Sequence, residues 1–314
     1  MHAAVVTEFG HTPTWQEFDE PTPGPGEVVV DVVAAGLHPR VRSQADGSHY
    51  TSEGALPLVP GVDGVARFPD GTLRYVAVAS DTRGTMAERV AVDPRASVVL
   101  PDGADPVTVA AGVNPVLSSW VALRRRIDFA PGSRVLVLGA TGASGTAAVQ
   151  VAKHLGAAHV VASGRNPERL AALTALGADV VLPLTDVDAL GAAAADVDVV
   201  IDYVWGQPAA DVMRAVVTAR TEPGRRLDWI AIGSTAGHEA TIPSAALRAS
   251  GLTIVGSGQG SVGRAGFVAE LPGIVSAIAD GTVRVDATAV RLADVEATWA
   301  GQPAGSTGRV VFTV

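Results

Sequence analysis

One stretch constrains this chain more than any other. The apolar run Val135-Leu136-Val137-Leu138 leads into Gly139-Ala140-Thr141-Gly142-Ala143-Ser144-Gly145, and a helical pattern follows through Gln150 and Lys153. A glycine triplet alone is weak evidence. Here a strand precedes it, a helix follows, and a second apolar run begins about twenty residues on, which together make the fingerprint of a dinucleotide-binding βαβ unit. Glycines let the backbone turn tightly and let a pyrophosphate reach the free N–H groups of the helix start, where the helix dipole favours negative charge. Gly139, Ala140, Thr141, Gly142, Ala143, Ser144 and Gly145 are therefore candidate cofactor contacts.

The second apolar run indicates which dinucleotide. A site for NAD carries Asp or Glu at the end of that strand, on the ribose hydroxyls. Here Val160-Val161-Ala162 ends in Ser163-Gly164-Arg165-Asn166, and the first carboxylate is Glu168, a first-turn helix residue. Arg165, with Arg169 one helical turn later, suits a 2′-phosphate through charge-assisted hydrogen bonds. The expected cofactor is NADP(H).

The surrounding pattern gives the fold class, α/β. Unbroken apolar runs at 134–138, 158–162, 179–182, 197–201, 227–232 and 252–255 alternate with helical stretches near 145–155, 167–176 and 208–219. Strands covered on both faces read this way, and the alternation describes a doubly wound parallel sheet, a Rossmann domain. Asn166-Pro167-Glu168 reads as cap, first-turn proline and first-turn acid, while Gly156 and Gly177 stand where helices stop. The first third differs. Short runs at 2–6, 27–33, 62–67, 72–79 and 87–92 lie between turn clusters, among them the hairpin signal Pro69-Asp70-Gly71-Thr72, and suggest a small barrel or sandwich. After 258 a helix near 264–280 and strands at 283–290 and 308–314, with no crossover helix of their own, are expected to return to the first domain. The expected division is 1–117 with 259–314, and 118–258.

Composition narrows the partners. The net charge of −9 and an aromatic content of 4% argue against nucleic acid. Absence of cysteine removes disulfides, thiol nucleophiles, iron–sulfur clusters and thiolate zinc sites. No Gly-Lys-Ser/Thr triplet, nucleophile elbow or His-Glu-x-x-His pair occurs, and the seven histidines are scattered, so no metal site is expected. The N-terminus lacks a signal-peptide pattern, and no uncharged apolar run is read as approaching the ~20 residues of a membrane span. The expectation is a cytoplasmic protein with no membrane partner.

Further marks are Glu27-Val28-Val29-Val30, Gly36-Leu37-His38-Pro39, Pro60-Gly61-Val62-Asp63-Gly64, Gly84-Thr85-Met86-Ala87-Glu88, Asn114-Pro115 and Gly308-Arg309-Val310-Val311. With the glycine loop, this ordered set resembles the medium-chain dehydrogenase/reductase (MDR) superfamily, alcohol dehydrogenase-like in fold, and within it the zinc-free quinone oxidoreductase branch. The resemblance implies a GroES-like β-rich catalytic domain beside the Rossmann domain, with an active site in the cleft between them. It implies NADPH-dependent reduction of a quinone or an activated C=C bond such as an enone. It also implies a homodimer joined through the edge strand Leu252-Thr253-Ile254-Val255. On the same resemblance, Ser163, Gly164 and Arg165 meet the adenosine ribose and its phosphate. Ser118 lies near the nicotinamide half, and Gly233, Ser234, Gly256, Ser257 and Gly258 line the far side.

Departures from the family pattern bear on the substrate. The family's Asn-Pro-Val-Asp reads His38-Pro39-Arg40-Val41 here, while Tyr50 matches an active-site tyrosine. Without zinc, hydrogen-bond donors must stabilise a developing oxyanion, so His38 and Tyr50 are the candidate catalytic residues. Two alternatives stay open: an enoyl-thioester reductase of the same fold, and an NADPH-binding or redox-sensing protein without turnover.

Overall fold

The computed structural model describes residues 1–49, 52, 54–78, 80–301 and 308–314. The chain divides into two units, one of residues 1–114, 271–281 and 285–314, the other of 115–270 and 282–284.

The first unit opens with β1 (His2–Val5), β2 (Thr14–Glu17), β3 (Val28–Gly36), helix α1 (Pro39–Ala45), β4 (Asp63–Arg67), β5 (Leu73–Ala77), β6 (Arg89–Val92) and β7 (Ser97–Val99). The expected hairpin joins β4 and β5. Asp70 Oδ1 accepts from the Thr72 N–H at 3.0 Å and the Thr72 hydroxyl at 2.6 Å, and Gly71 takes φ +83°. Strand β3 pairs with β6 through Val28–Asp31 and with β4 through Asp31–Ala35. Valines, alanines and Leu37, Leu58, Phe68 and Met86 form the core. Strands β2 and β7 escaped the sequence reading because they are short and half-exposed.

Helix α2 (Pro106–Val121) runs into a π-helical turn, Ala122–Arg126. It corrects one expectation. By length and composition 106–126 suffices to cross a membrane, but 67% of its most apolar window is buried inside the protein, so it packs as a core helix. The unit boundary after Asn114 falls inside it, beside Pro115.

The second unit carries β8 (Arg134–Leu138), α3 (Ala143–His154), β9 (His159–Gly164), α4 (Pro167–Ala172), β10 (Val180–Pro183), α5 (Val187–Ala193), β11 (Val199–Asp202), α6 (Gly206–Ala219), β12 (Arg226–Ala231), α7 (Ser244–Arg248) and β13 (Gly251–Gly256). All pairings are parallel, in the order β10-β9-β8-β11-β12-β13. This is the doubly wound sheet that the unbroken apolar runs predict, with its order reversing between β8 and β11. Leu136, Leu138, Val161, Val200, Leu227 and Trp229 are buried in its core. Asn166 caps α4 as read, its Oδ1 accepting the Arg169 N–H at 3.0 Å, and Gly177 closes the following turn at φ +107°.

The chain then forms α8 (Arg264–Ala279), β14 (Ala287–Arg291), α9 (Val295–Gly301) and β15 (Arg309–Thr313). Strand β15 pairs antiparallel with β3, so the late strands do return to the first unit's sheet. The expectation that they lack a crossover helix was wrong. Strands β14 and β15 are parallel, a parallel pair needs a crossover, and a 3-10 turn (Leu292–Asp294) and α9 supply it. Leu292, Val295 and Trp299 bury this connection in the first unit's core.

Candidate dinucleotide site

Strand β8 ends in the glycine loop, and the loop's geometry dictates its residues. Gly139 takes φ +80°, where a Cβ would stand 3.2 Å from Tyr203 Cβ. A Cβ on Gly145 would lie 2.2 Å from the Gly139 carbonyl oxygen and 2.6 Å from Ala140 Cα, so only glycine lets α3 start this close to the strand. Gly142 is the N-cap of α3, with no side chain capping the helix and no acid in its first turn. An α-helix leaves its first N–H groups without intrahelical acceptors, so a bare, electropositive helix mouth results. The Ala140 N–H donates to the Ser163 carbonyl at 2.8 Å, and Thr146 Oγ1 donates to the Ala140 carbonyl at 3.0 Å, which ties the loop to β9. Thr141 packs where a Cβ on Gly164 would lie 2.6 Å from it.

Three observations show that these residues fit a phosphorylated dinucleotide. The helix mouth is uncapped. Ser163 Oγ is buried without a hydrogen-bond partner among the described residues, an unused polar group at the end of β9. Arg165 stands exposed beyond it, and no carboxylate occurs between β9 and Glu168. Arg169 is half-buried on α4, its backbone N–H already given to Asn166.

On the other side of the reversal lie Asp202 and Tyr203, which the sequence reading missed, along with Ser118, Gly233, Ser234, Gly256, Ser257 and Gly258, which it named. Asp202, the last residue of β11, is fully buried. Its carboxylate accepts the Val204 N–H at 2.7 Å, the Trp205 N–H at 3.0 Å and Trp229 Nε1–H at 2.9 Å. Burial pushes its pKa up, against these three donors. Tyr203 follows, its phenol oxygen 2.8 Å from Ser118 Oγ. A Cβ on Gly233 would meet the Tyr203 carbonyl oxygen at 2.8 Å, so Gly233 is held against this corner. Ser234 Oγ lies 3.3 Å from His238 Nδ1. The Ser257 N–H donates to the Ala231 carbonyl, and Gly258 closes a turn on Ser261. Arg126 donates to the carbonyls of Gly256 (2.8 Å) and Ser261 (3.1 Å), pinning that segment. An acid ending an apolar run, followed within four residues by a glycine, was the available signal for the Asp202 corner.

Of the two catalytic candidates, Tyr50 lies outside the described residues. His38 belongs to the first unit, where it is buried with its Nε2 at 3.3 Å from Asp63 Oδ1. Asp63 Oδ2 accepts the Tyr75 hydroxyl at 2.9 Å. Burial lowers the His38 pKa while Asp63 opposes the shift, which favours the neutral ring. The Asp63 contact then fixes the proton on Nε2 and leaves Nδ1, which has no partner among the described residues, as an acceptor. Arg309 is buried in the same unit, and burial lowers its pKa to about 10. Among the described residues no three His, Asp or Glu side chains gather as a metal site would require.

Comparison with known proteins shows the family. A family profile described as zinc-binding dehydrogenase matches residues 143–278. A protein of Emericella nidulans, named a probable NADPH-dependent quinone reductase, is 34% identical over 95% of this chain and 96% of its own length. The chain belongs to the quinone oxidoreductase branch of the MDR superfamily. The solved quinone oxidoreductase of Thermus thermophilus superimposes with a TM-score of 0.84 over the whole of both chains, at 29% identity. A chloroplastic NADPH-dependent alkenal/one oxidoreductase of Arabidopsis thaliana is 29% identical over 51% of this chain and 45% of its own. In this quinone oxidoreductase family member the profile match begins at the first residue of α3 and takes in β9 to β13.

Proposed function

We propose that this chain is an NADPH-dependent reductase that delivers hydride to a quinone or an enone, as a cytoplasmic homodimer joined through β13, with no step assigned to zinc. The observation that carries the reading is the end of β9: an unpartnered buried Ser163 hydroxyl, an exposed arginine and no carboxylate, beside an uncapped helix mouth. The names of the Emericella and Thermus relatives support the quinone, and that of the Arabidopsis relative the enone. The absence of any cysteine thiolate supports a mechanism without zinc.

Bound NADPH supplies the hydride. The chain's part is to bind, orient and manage charge. In this reading the N–H groups of Ala143, Ser144 and Gly145 hold the pyrophosphate, Ser163 Oγ meets the ribose, and Arg165 with Arg169 holds the 2′-phosphate. Ser118, Gly233, Ser234 and Gly256–Gly258 line the nicotinamide half. The segment 118–258 serves as the cofactor domain and 1–117 with 259–314 as the catalytic domain. The oxygen of the reduced substrate needs a hydrogen-bond donor, and Tyr50 is proposed for it because a phenol donates without ionising. His38, its ring fixed by Asp63 with the proton on Nε2, is proposed to accept a hydrogen bond at Nδ1 and so orient a donor in the catalytic domain.

The experiment is direct. Pure protein is mixed with NADPH or NADH and a panel of quinones, short enones and enoyl thioesters while absorbance of the reduced nicotinamide is followed. Oxidation of NADPH by quinones or enones alone supports the reading. Turnover confined to enoyl thioesters replaces it with the thioester reductase, and NADPH binding without turnover across the panel leaves a non-catalytic binder. His38→Gln is expected to lower turnover with NADPH affinity intact; unchanged turnover removes His38 from the mechanism.

A further inference from the structure

Three consecutive arginines, Arg124, Arg125 and Arg126, follow helix α2, and the turn that carries them is π-helical. On an α-helix neighbouring residues point about 100° apart and do not face each other. A π turn bonds five residues back instead of four, so it is wider and its successive side chains fan through a smaller angle. Two adjacent arginines can then meet one carboxylate. Glu270 Oε2 accepts Arg124 Nε–H at 2.7 Å and Trp120 Nε1–H at 2.9 Å, and Glu270 Oε1 accepts Arg125 Nε–H at 2.6 Å. All of these residues belong to the second unit.

The carboxylate is a buried strut, and the guanidiniums are its exposed heads. The Glu270 side chain is 5% exposed, against 50% for Arg124 and 41% for Arg125. Burial raises the Glu270 pKa, but the donors from Trp120 and the two arginines outweigh it and hold the carboxyl below its ordinary value, so the strut stays charged. Arg124 and Arg125 each spend one N–H on it, at Nε. Their Nη1 and Nη2 groups make no hydrogen bond among the described residues, so each arginine keeps a two-nitrogen fork. Arg126 gives Nε–H and Nη1–H to the Gly256 and Ser261 carbonyls, which carry no charge. Three guanidiniums against one carboxylate leave two positive charges in one place, on a chain that is negative overall.

We infer that this turn is an oxyanion site, built from none of the residues assigned to the dinucleotide, that takes a phosphate dianion, free or as a monoester, between the Arg124 and Arg125 forks. Planar forks suit phosphate oxygens in pairs, and the two charges match the dianion. The Glu270 anchor orients both heads before the ligand arrives, which spares the cost of ordering two long side chains.

The test follows the phosphorus NMR line of inorganic phosphate as protein is added at fixed ionic strength. Wild type is compared with Glu270→Gln and with the double variant Arg124→Lys, Arg125→Lys. The lysines keep the charge and can pair with Glu270, but they have no second edge for the ligand. The double variant should bind about tenfold more weakly, since a charge-assisted contact is lost. Glu270→Gln separates a built site from diffuse attraction: it adds positive charge but loosens the heads, so binding should weaken by about threefold or more. Tighter binding by Glu270→Gln, wild-type affinity in the double variant, or no binding by wild type overturns the inference. Saturating NADPH should leave the wild-type titration unchanged. If NADPH abolishes it, phosphate occupied the place of the cofactor's own 2′-phosphate, and this inference falls while the cofactor assignment stands. A last titration replaces phosphate by phosphopantetheine. Tighter binding than inorganic phosphate makes the ligand the phosphoryl end of a larger molecule, and weaker binding makes it the free ion, in both cases on the same forks.

Discussion

Gly145 offers a stringent test, because the cost of changing it can be worked out from distances. A Cβ there would stand 2.2 Å from the Gly139 carbonyl oxygen and 2.6 Å from Ala140 Cα, whereas ordinary contact begins at 3.4 Å. Both neighbours are backbone, so no rotamer relieves the clash and α3 must retreat from the loop by more than 1 Å. Hydrogen bonds of 2.7–3.2 Å do not survive such a shift. Losing two charge-assisted bonds to a pyrophosphate, at about 1.5–3 kcal/mol each, sums to roughly 3–6 kcal/mol, or about 10²- to 10⁴-fold in Kd. Overpacking adds a loss of about 1–3 kcal/mol in stability. Gly142 is the control: its nearest neighbour to a Cβ is 3.5 Å away, so Gly142→Ala should stay within about 0.5 kcal/mol of wild type in urea unfolding. Gly145→Ala and wild type are titrated with NADPH by fluorescence and unfolded in urea. A folded Gly145→Ala protein binding NADPH within threefold of wild type would refute the reasoning, as would equal destabilisation by the two alanines.

Four further outcomes are expected. The folded state keeps His38 neutral by burial, so the unfolded chain takes up the proton more readily and stability falls as pH drops through the ordinary histidine value of 6.5; urea midpoints between pH 7.5 and 5.5 should fall more steeply for wild type than for His38→Gln, and the reverse order would show the sign to be wrong. Arg309 is buried and attracted by the buried Asp63 carboxylate, so Arg309→Met should lower stability by about 1–3 kcal/mol, less than the loss of Asp63 because Tyr75 and His38 still contact that carboxylate. Asp63→Ala, which strands His38 and Tyr75, should lower it by about 3–5 kcal/mol; thermal melts that rank the two variants the other way contradict this account. Arg165→Ala should shrink the preference for NADPH over NADH by about tenfold or more, since a charge-assisted contact is lost, and equal titration ratios in variant and wild type would free Arg165 of that role.

The second unit was legible from sequence because each of its signals is local. The unbroken apolar runs, Asn166-Pro167 and the glycines at 139–145 and 177 need only their neighbours to be interpreted. What escaped depends on pairing at a distance. Asp63 is the partner of His38 across 25 residues, and only the antiparallel register of β3 and β4 brings them together. Ser118 and Tyr203 meet across 85 residues. The α9 crossover was hidden because seven residues of helix give too short an amphipathic pattern, and the parallel pairing that demands it is a property of β14 and β15 together. Helix α2 was underrated because Thr, Asn and Ser punctuate its apolar run without adding charge.

The corner after β11 sets an unusual mutational grammar. Trp205 is the one residue other than glycine with a positive φ among the described residues, at φ 49° and ψ −165°, held by the Asp202 carboxylate. Such torsions cost about 1–3 kcal/mol. Glycine would relieve them but surrender about 0.5–1 kcal/mol of chain entropy. In a saturation library this codon therefore has few inexpensive spellings, tryptophan as found and glycine, while a β-branched replacement must break the turn that seats the neighbouring loop.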